Sequence, residues 1–195
     1  NFHVIGDAAV RSALDAVAAA EAVNPGAAEH RHRTTHTYLV DPADVPRFAE
    51  LGVIADFQMA TESISTDYAD YMSDFIGNRA YDLIPTLTLV DSGAHVSLSS
   101  DWDAAELSPV GTIARSLTRP TQAVVDVETA IRLVTVDAAY ALGQDNRTGT
   151  IEVGKQADYV ILDQNLFDIA PDQISDTTVL LTAVGGRTVY EADGS

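Results

Sequence analysis

Short apolar segments alternate with longer amphipathic ones in the first three quarters of the chain, and this alternation limits the fold more than any other feature. Segments typical of strands occupy residues 2–5, 33–40, 53–58 and 95–100. Helical spacing follows the first strand, where Val10, Leu14 and Val17 recur on one helix face. Strands that alternate with helices indicate βα units and a parallel sheet. The sequence therefore predicts an α/β chain with four such units.

Residues that start or stop a helix set the predicted boundaries. Asp7 is expected to cap the first helix with its carboxylate, and Pro42 suits the first position of the second helix. Further helices are predicted at residues 86–92, 110–117 and 127–142. The polar stretch of residues 60–85 is less regular. These boundaries complete four βα units within residues 1–145.

The pattern changes in the last quarter of the chain. Strands separated by turns are predicted at residues 148–153, 157–162 and 179–190. The pair Gly185-Gly186 is typical of a two-residue hairpin turn. A sheet of three or four short strands is marginally stable alone and requires a partner. We therefore divide the chain into residues 1–145 and a β-rich tail of residues 146–195.

Charge and composition exclude several classes of function. The chain has 29 Asp and Glu residues against 11 Lys and Arg residues, which gives a net charge of −18. Nucleic acid is therefore not an expected partner, because its phosphates require a basic surface. No apolar run approaches the roughly 20 residues of a membrane helix, so a membrane is not expected either. The chain has no Cys. Any metal must then be held by His and carboxylate groups. The absence of Cys does not decide the cellular compartment, for which the cytoplasm is the default expectation.

Three potential metal ligands lie at or near the ends of predicted strands: His3, His36 and Asp101. Enzymes built on βα barrels carry their sites at the carboxyl ends of the strands, and imidazole with carboxylate suits zinc and similar ions. A single His at a strand end is more often structural, and an Asp there is usually a cap or a turn residue. The occurrence of three such residues in one chain favours a metal site.

Five segments carry a resemblance to a known family. They are HVIGD at residues 3–7, RHRTTH at 31–36, SSDW at 99–102, GTIEVGKQAD at 149–158 and GGRTVY at 185–190. In this order they resemble the motifs of amidohydrolase family 3, within the amidohydrolase superfamily. The similarity covers nearly the whole chain, and the tail segments are its most specific part.

The resemblance implies a fold and a chemistry. Residues 1–145 would form the second half of a (β/α)8 TIM barrel, strands 5–8 with their helices, and residues 146–195 would form part of a small composite β-sandwich. His3 and His36 would bind a divalent metal, with zinc expected and one or two ions in the complete protein. Asp101 would bind metal and act as the catalytic residue that shuttles the proton of the attacking water. The implied activity is metal-dependent hydrolysis of a carbon–nitrogen bond other than a peptide bond, in a small amide or cyclic amide.

Other residues are candidates for supporting roles. The resemblance suggests that Gln58, Trp102 and Arg119 contact the substrate. Gln58 and Trp102 could instead be packing residues. Arg119 could instead lie on the surface or pair with a carboxylate. His32 has the same side-chain parity as His36 along one strand. We therefore expect His32 to contact His36 without binding the metal itself. Thr35 stands where the family usually has Glu, which puts the pocket shape and the substrate in doubt.

The His-x-His pair that the family carries on its first barrel strand does not precede these motifs, and the chain opens at Asn1 as if within a strand. We therefore expect an incomplete fragment that is inactive alone. It should associate with the missing N-terminal half or with another copy of itself, as a possible homo-oligomer. The alternative is a non-catalytic subunit or binding protein that complements a partner chain.

Overall fold

A four-stranded parallel sheet forms the centre of the molecule, in a computed structural model that describes residues 1–60 and 64–193. The strands are β1 (Phe2–Val4), β2 (Arg33–His36), β3 (Ile54–Gln58) and β4 (Val96–Ser99). They pair in chain order, and each neighbouring pair is parallel. The predicted α/β class with a parallel sheet is therefore confirmed.

Helices connect and cover these strands. They are α1 (Asp7–Val23), α2 (Val45–Glu50), α3 (Thr66–Ile76), α4 (Thr86–Asp91), α5 (Pro109–Thr118), α6 (Val127–Val134) and α7 (Val136–Ala141). Short 3-10 turns add Ala27–His30, Gly77–Asp82 and Pro171–Asp176. Among the described residues, none of the helices combines the length and apolarity that crossing a bilayer requires.

The two faces of the parallel sheet differ in polarity. Side chains alternate between the faces along each strand, and one face is apolar. Its buried residues Val4, Phe57 and Leu98 belong to one core cluster with Leu14 of α1 and Leu133 of α6. The register aligns a second, polar row across the sheet, one residue from each strand: His3, Thr35, Asp56 and Ser97. The helices therefore cover the apolar face, and chemically active side chains lie on the other.

The tail forms a separate antiparallel sheet of β5 (Tyr159–Leu162), β6 (Val179–Val184) and β7 (Arg187–Glu191). Gly185 and Gly186 join β6 to β7 with φ angles of 57° and 75°, as the predicted two-residue hairpin requires. The Asp158 carboxylate accepts a hydrogen bond from the Gly185 N–H at 2.7 Å. All five residues of β7 are exposed, so this sheet has apolar surface with no cover among the described residues.

Several predicted boundaries were wrong. Gly6 is the N-cap of α1, and Asp7 is its first residue, where the carboxylate pairs with Arg79 at 2.6 Å. Helix α2 begins at Val45, three residues after Pro42, and Pro46 occupies its first turn. The irregular stretch of residues 60–85 contains α3, and residues 61–63 of it lie outside the described residues. The capping oxygen of Ser65, which accepts from the Tyr68 N–H, starts that helix.

Two longer predictions also failed. The helix predicted at residues 127–142 divides into α6 and α7 at Thr135, where φ is −121° and ψ is −80°. Three consecutive β-branched residues (134–136) explain the break, because they pack poorly against the preceding helical turn. Residues 148–153 form a turn in place of the predicted strand. Gly149 and Gly154 take positive φ angles there, and the Lys155 ammonium donates to Thr150 Oγ1 at 2.6 Å.

Candidate metal centre

His3 and His36 come together near the carboxyl ends of the neighbouring strands β1 and β2. Their ring centroids are 4.4 Å apart, with an edge-to-face angle of 75°. His36 pairs in register with Val4, whose side chain is in the core, so simple alternation would also turn His36 toward the core. The φ angle of 72° at His36 interrupts that alternation. This left-handed residue therefore lets a histidine at the end of β2 meet one from β1.

The His36 ring has an unsatisfied nitrogen. Its Nδ1 is buried and has no hydrogen-bond partner among the described residues, and the ring also meets Tyr38 edge-on at 5.8 Å. Buried polar atoms are nearly always paired, so such an atom calls for an explanation. A neutral imidazole nitrogen is a ligand for divalent cations such as zinc. The paired rings and the orphaned nitrogen fit a metal ion that His3 and His36 would help to hold.

Asp101 follows β4 at the same edge of the sheet, since all four strands run in one direction. It is partly exposed, and its φ angle of 64° is again left-handed. Within residues 1–60 and 64–193, no group of three or more His, Cys, Asp or Glu residues has an arrangement that could hold a metal ion. The structure thus brings His3 and His36 together without adding Asp101 to the pair, and the ligand roles of all three stay predictions.

Gln58 lies at the end of β3 and is buried, with 2% exposure. Its Oε1 accepts from the backbone N–H of His36 at 2.8 Å, and its Nε2 donates to Asp56 Oδ2 at 2.8 Å and to Ser99 Oγ at 3.1 Å. Gln58 therefore contacts the candidate site through the backbone of His36. Its predicted contact with substrate stays a prediction.

Asp56 is the residue of this site that sequence reasoning missed. Its Oδ1 accepts from Ser97 Oγ at 2.8 Å, and burial raises the pKa of its carboxyl, against the lowering effect of that hydrogen bond and of nearby Arg33. The sequence feature that could have identified Asp56 is a carboxylate inside an apolar strand, because such groups are rarely buried without partners. Its spacing from Gln58 also places the two side chains on one face of β3.

The loop after β4 exposes Trp102, whose surface is 70% accessible. Together with Glu106, Leu107 and Arg115 it lines an open concavity. The packing role considered for Trp102 is therefore wrong for this structure. Contact with a substrate stays a prediction that the exposure favours.

Arg119 is buried directly after α5. Its guanidinium donates to Leu83 O at 2.7 Å, to Ile84 O at 2.9 Å and to Thr86 Oγ1 at 3.2 Å, and burial lowers its pKa to about 10. The surface and carboxylate-pairing roles considered for Arg119 are therefore not what the contacts show. Its side chain holds the segment that leads into α4, and its predicted contact with substrate stays a prediction.

His32 precedes β2, at the opposite end of the strand from His36. Four residues of extended chain span about 13 Å, and His32 meets the His30 ring at 6.0 Å. This separation argues against the prediction that His32 supports His36.

Comparison with known proteins places this arrangement in a family. A model described as the amidohydrolase family matches residues 1–190. An N-substituted formamide deformylase from Arthrobacter pascens is 28% identical over 204 residues, which is 100% of this chain and 37% of that protein. The sequence similarity therefore extends along the whole chain.

Solved structures give the same result for the fold. An uncharacterised metal-dependent hydrolase from Pyrococcus furiosus matches with a TM-score of 0.65 and 26% identity, over 80% of this chain and 31% of its own. An adenosine deaminase from Xanthomonas campestris with bound zinc matches with a TM-score of 0.66 and 20% identity, over 99% of this chain and 47% of its own. The chain spans less than half the length of each of these proteins. Because the family model covers residues 1–190, the chain belongs to the amidohydrolase family.

Proposed function

We propose that the complete protein is a metal-dependent hydrolase of carbon–nitrogen bonds other than peptide bonds, and that this chain supplies part of its metal site. The observation that carries the proposal is the contact between the His3 and His36 rings, with the buried Nδ1 of His36 unpartnered in the part of the chain that the structure describes. A small amide or cyclic amide is the proposed substrate. The similarity to a protein named an N-substituted formamide deformylase supports an amide.

Each site residue has a distinct proposed role. His3 and His36 bind a divalent cation, for which zinc is the expected ion. When bound, such a cation acidifies a water molecule and polarises the carbonyl group. The Asp101 carboxylate accepts the proton of the attacking water and returns it to the leaving amine. The exposed ring of Trp102 contacts the substrate beside the loop that follows β4.

The proposed architecture is the second half of a (β/α)8 barrel with part of a composite β-sandwich. Three observations support it: the all-parallel order of β1 to β4, the polar row on the sheet face opposite the helices, and the exposed strand β7. Barrel strands and sandwich strands supplied by a missing N-terminal half, or by a second copy of this chain, would cover those surfaces.

A second candidate function is a non-catalytic subunit or binding protein that complements a partner chain. The specific observation in its favour is that two histidines, and no third ligand, come together in the described part of the chain. Two neutral imidazoles hold a cation less firmly than the three or four ligands of established zinc sites.

One experiment separates the two functions. The protein is isolated from its natural source, and its intact mass and metal content are measured on the same sample. A species much longer than 195 residues with one or two metal ions per molecule supports the hydrolase. A metal-free species of this length contradicts it and favours the complementing subunit.

Substitution tests the proposed ligand His36 directly. In the isolated protein, His36→Ala is expected to reduce the affinity for Zn2+ at least tenfold, because a ligand is lost. His30→Ala is the matched control, since His30 is an exposed histidine in the turn before β2. Equal Zn2+ affinity in the two variants would contradict a ligand role for His36.

A further inference from the structure

The left-handed backbone at His36 needs hydrogen bonds that hold it in place. His36 and Thr37 have φ angles of 72° and 49°, which are unfavourable for residues with a Cβ atom. The Thr37 N–H donates to Val4 O at 2.9 Å, so the chain beyond His36 follows β1. The register between β2 and β3 ends at the pair Thr35–Asp56. The N–H of His36 therefore finds no backbone partner on β3 and needs another acceptor.

The Gln58 side chain supplies that acceptor. Its Oε1 lies 2.8 Å from the His36 nitrogen, while its Nε2 faces Asp56 Oδ2 at 2.8 Å. A primary amide has one acceptor end and one donor end, so the group that holds the donor end decides where the acceptor end points. An ionised carboxylate only accepts, and it therefore selects the amide nitrogen.

We propose that Asp56 is a positioning residue for His36 and acts through the amide of Gln58. With the amide reversed, its oxygen would face the Asp56 carboxylate and its N–H would face the N–H of His36. Both contacts are repulsive, so the carboxylate locks one orientation. That orientation holds the left-handed backbone of His36 and keeps its ring against His3. The chain of contacts runs from the middle of β3 to the end of β2.

The Ser97 hydroxyl makes an informative control possible. It donates to Asp56 Oδ1 at 2.8 Å, and a hydroxyl is able to accept as well as donate. In Asp56→Asn, the new amide nitrogen turns toward Ser97 and its oxygen still faces Gln58. Asp56→Asn therefore preserves the contacts that lead from residue 56 through Gln58 to His36. Asp56→Leu removes the acceptor at residue 56 with little change in size.

The first test is amide hydrogen exchange of the full chain, measured by NMR without any metal. We expect Asp56→Leu to speed exchange at the His36 N–H about tenfold relative to the Ala55 N–H, in line with the loss of one hydrogen bond. The Ala55 N–H is the internal reference because it donates to the carbonyl of His95, the residue before β4, at 2.9 Å. Asp56→Asn should stay within about twofold of the parent, by the same hydrogen-bond reasoning. Equal acceleration at His36 and Ala55, or none at His36, would overturn the proposal.

A variant that fails to fold does not end the test. Asp56→Ala removes the same acceptor with a smaller side chain and carries the same expectation. Gln58→Met removes the acceptor for the His36 N–H directly and should raise its exchange at least as much as Asp56→Leu. Unchanged exchange in Gln58→Met would also overturn the proposal.

A second readout rests on the proposed ligand role of His36. The affinity of the full chain for Zn2+, measured by competition with a chelator, should fall about tenfold in Asp56→Leu and recover in Asp56→Asn, as for other residues that orient a ligand. A parent chain that binds no Zn2+ would show that His3 and His36 do not hold the ion without further ligands, while the exchange measurement would still decide the role of Asp56. Zn2+ affinity equal in parent and Asp56→Leu would contradict the positioning role.

Discussion

At the scale of single residues, Arg119 is a charged group that the fold encloses, with 7% of its surface exposed. Its guanidinium spans the carbonyl oxygens of Leu83 and Ile84, and Ile84 takes a left-handed φ angle of 54°. Planar guanidinium groups suit such multiple acceptors because their donors have fixed directions. Arg119 therefore stabilises an unfavourable backbone next to α4, in addition to closing the end of α5.

Replacement of Arg119 should be costly for stability. Arg119→Met removes the donor to the buried Leu83 carbonyl, while Ile84 O keeps the Thr86 N–H at 2.7 Å. One unsatisfied carbonyl costs roughly 1–3 kcal/mol, so the free energy of unfolding should fall by about 2 kcal/mol. Urea unfolding followed by circular dichroism measures this change. The control is Arg132→Met, because the Arg132 side chain is 54% exposed and pairs with Asp137. That control should cost less than about 1 kcal/mol. Equal losses in both variants would contradict the anchoring role.

At the scale of elements, the start of α6 depends on one carboxylate. Asp126 has extended backbone angles, and its Oδ1 accepts from the Thr129 N–H at 2.7 Å. This hydrogen bond is the main reason that the pKa of Asp126 lies below its usual value of 3.8. Helix α6 buries Ala130 and Leu133 against the core, so its first turn affects packing as well as helix formation.

The capping role of Asp126 predicts a specific pH dependence. An acid with a lowered pKa in the folded state contributes stability above its unfolded pKa and loses that contribution as the pH falls through the folded value. The stability advantage of the parent over Asp126→Asn should therefore be full at neutral pH and shrink between about pH 5 and pH 2. Urea unfolding at several pH values measures it. Asp126→Ala, which lacks any cap, should be less stable than Asp126→Asn throughout, and a pH-independent difference between parent and Asp126→Asn would contradict the prediction.

At the scale of the whole molecule, the tail meets the helices at Gly149. Gly149 has a φ angle of 90°, and a Cβ atom there would lie 2.7 Å from the Cβ of Ala139 on α7 and 3.3 Å from Thr135 O. The close approach is possible only because the residue lacks a side chain. The tail is further tied to the body by buried Leu166 and Ile174, which belong to the main core cluster.

Comparison of Gly149→Ala with Gly154→Ala should separate the cost of a clash at this contact from the cost of backbone strain. Both Gly149 and Gly154 have positive φ angles, but a Cβ at Gly154 meets nothing within 4 Å. Gly154→Ala therefore costs only the left-handed strain of about 1 kcal/mol. Gly149→Ala adds a clash and should cost about 2–4 kcal/mol, since overpacking typically adds 1–3 kcal/mol. Thermal unfolding measures both variants, and equal losses would show that the tail does not pack closely at this point.

Much of the fold was predictable because the relevant signals are local. Apolar periodicity located the strands of the parallel sheet, and Gly185-Gly186 located the hairpin of the tail. Helix α3 was missed although Tyr68, Met72 and Ile76 recur at helical spacing and pack against the core. None of its residues is fully buried, and the polar residues between these three obscure the period. The break at Thr135 was missed because helical spacing of apolar residues continues across it, while β-branched crowding acts between adjacent turns.

The sequence by itself determined the order of the four parallel strands, the family and the candidate residues His3, His36 and Asp101, because periodicity and motif order are properties of the chain. Only the tertiary structure decided that His36 takes a left-handed backbone and meets His3, that Asp56 faces the amide of Gln58, and that Arg119 is buried. These outcomes depend on the register between strands and on contacts between residues far apart in the chain. Register is fixed by the packing of the whole sheet, and no local pattern of residues encodes it.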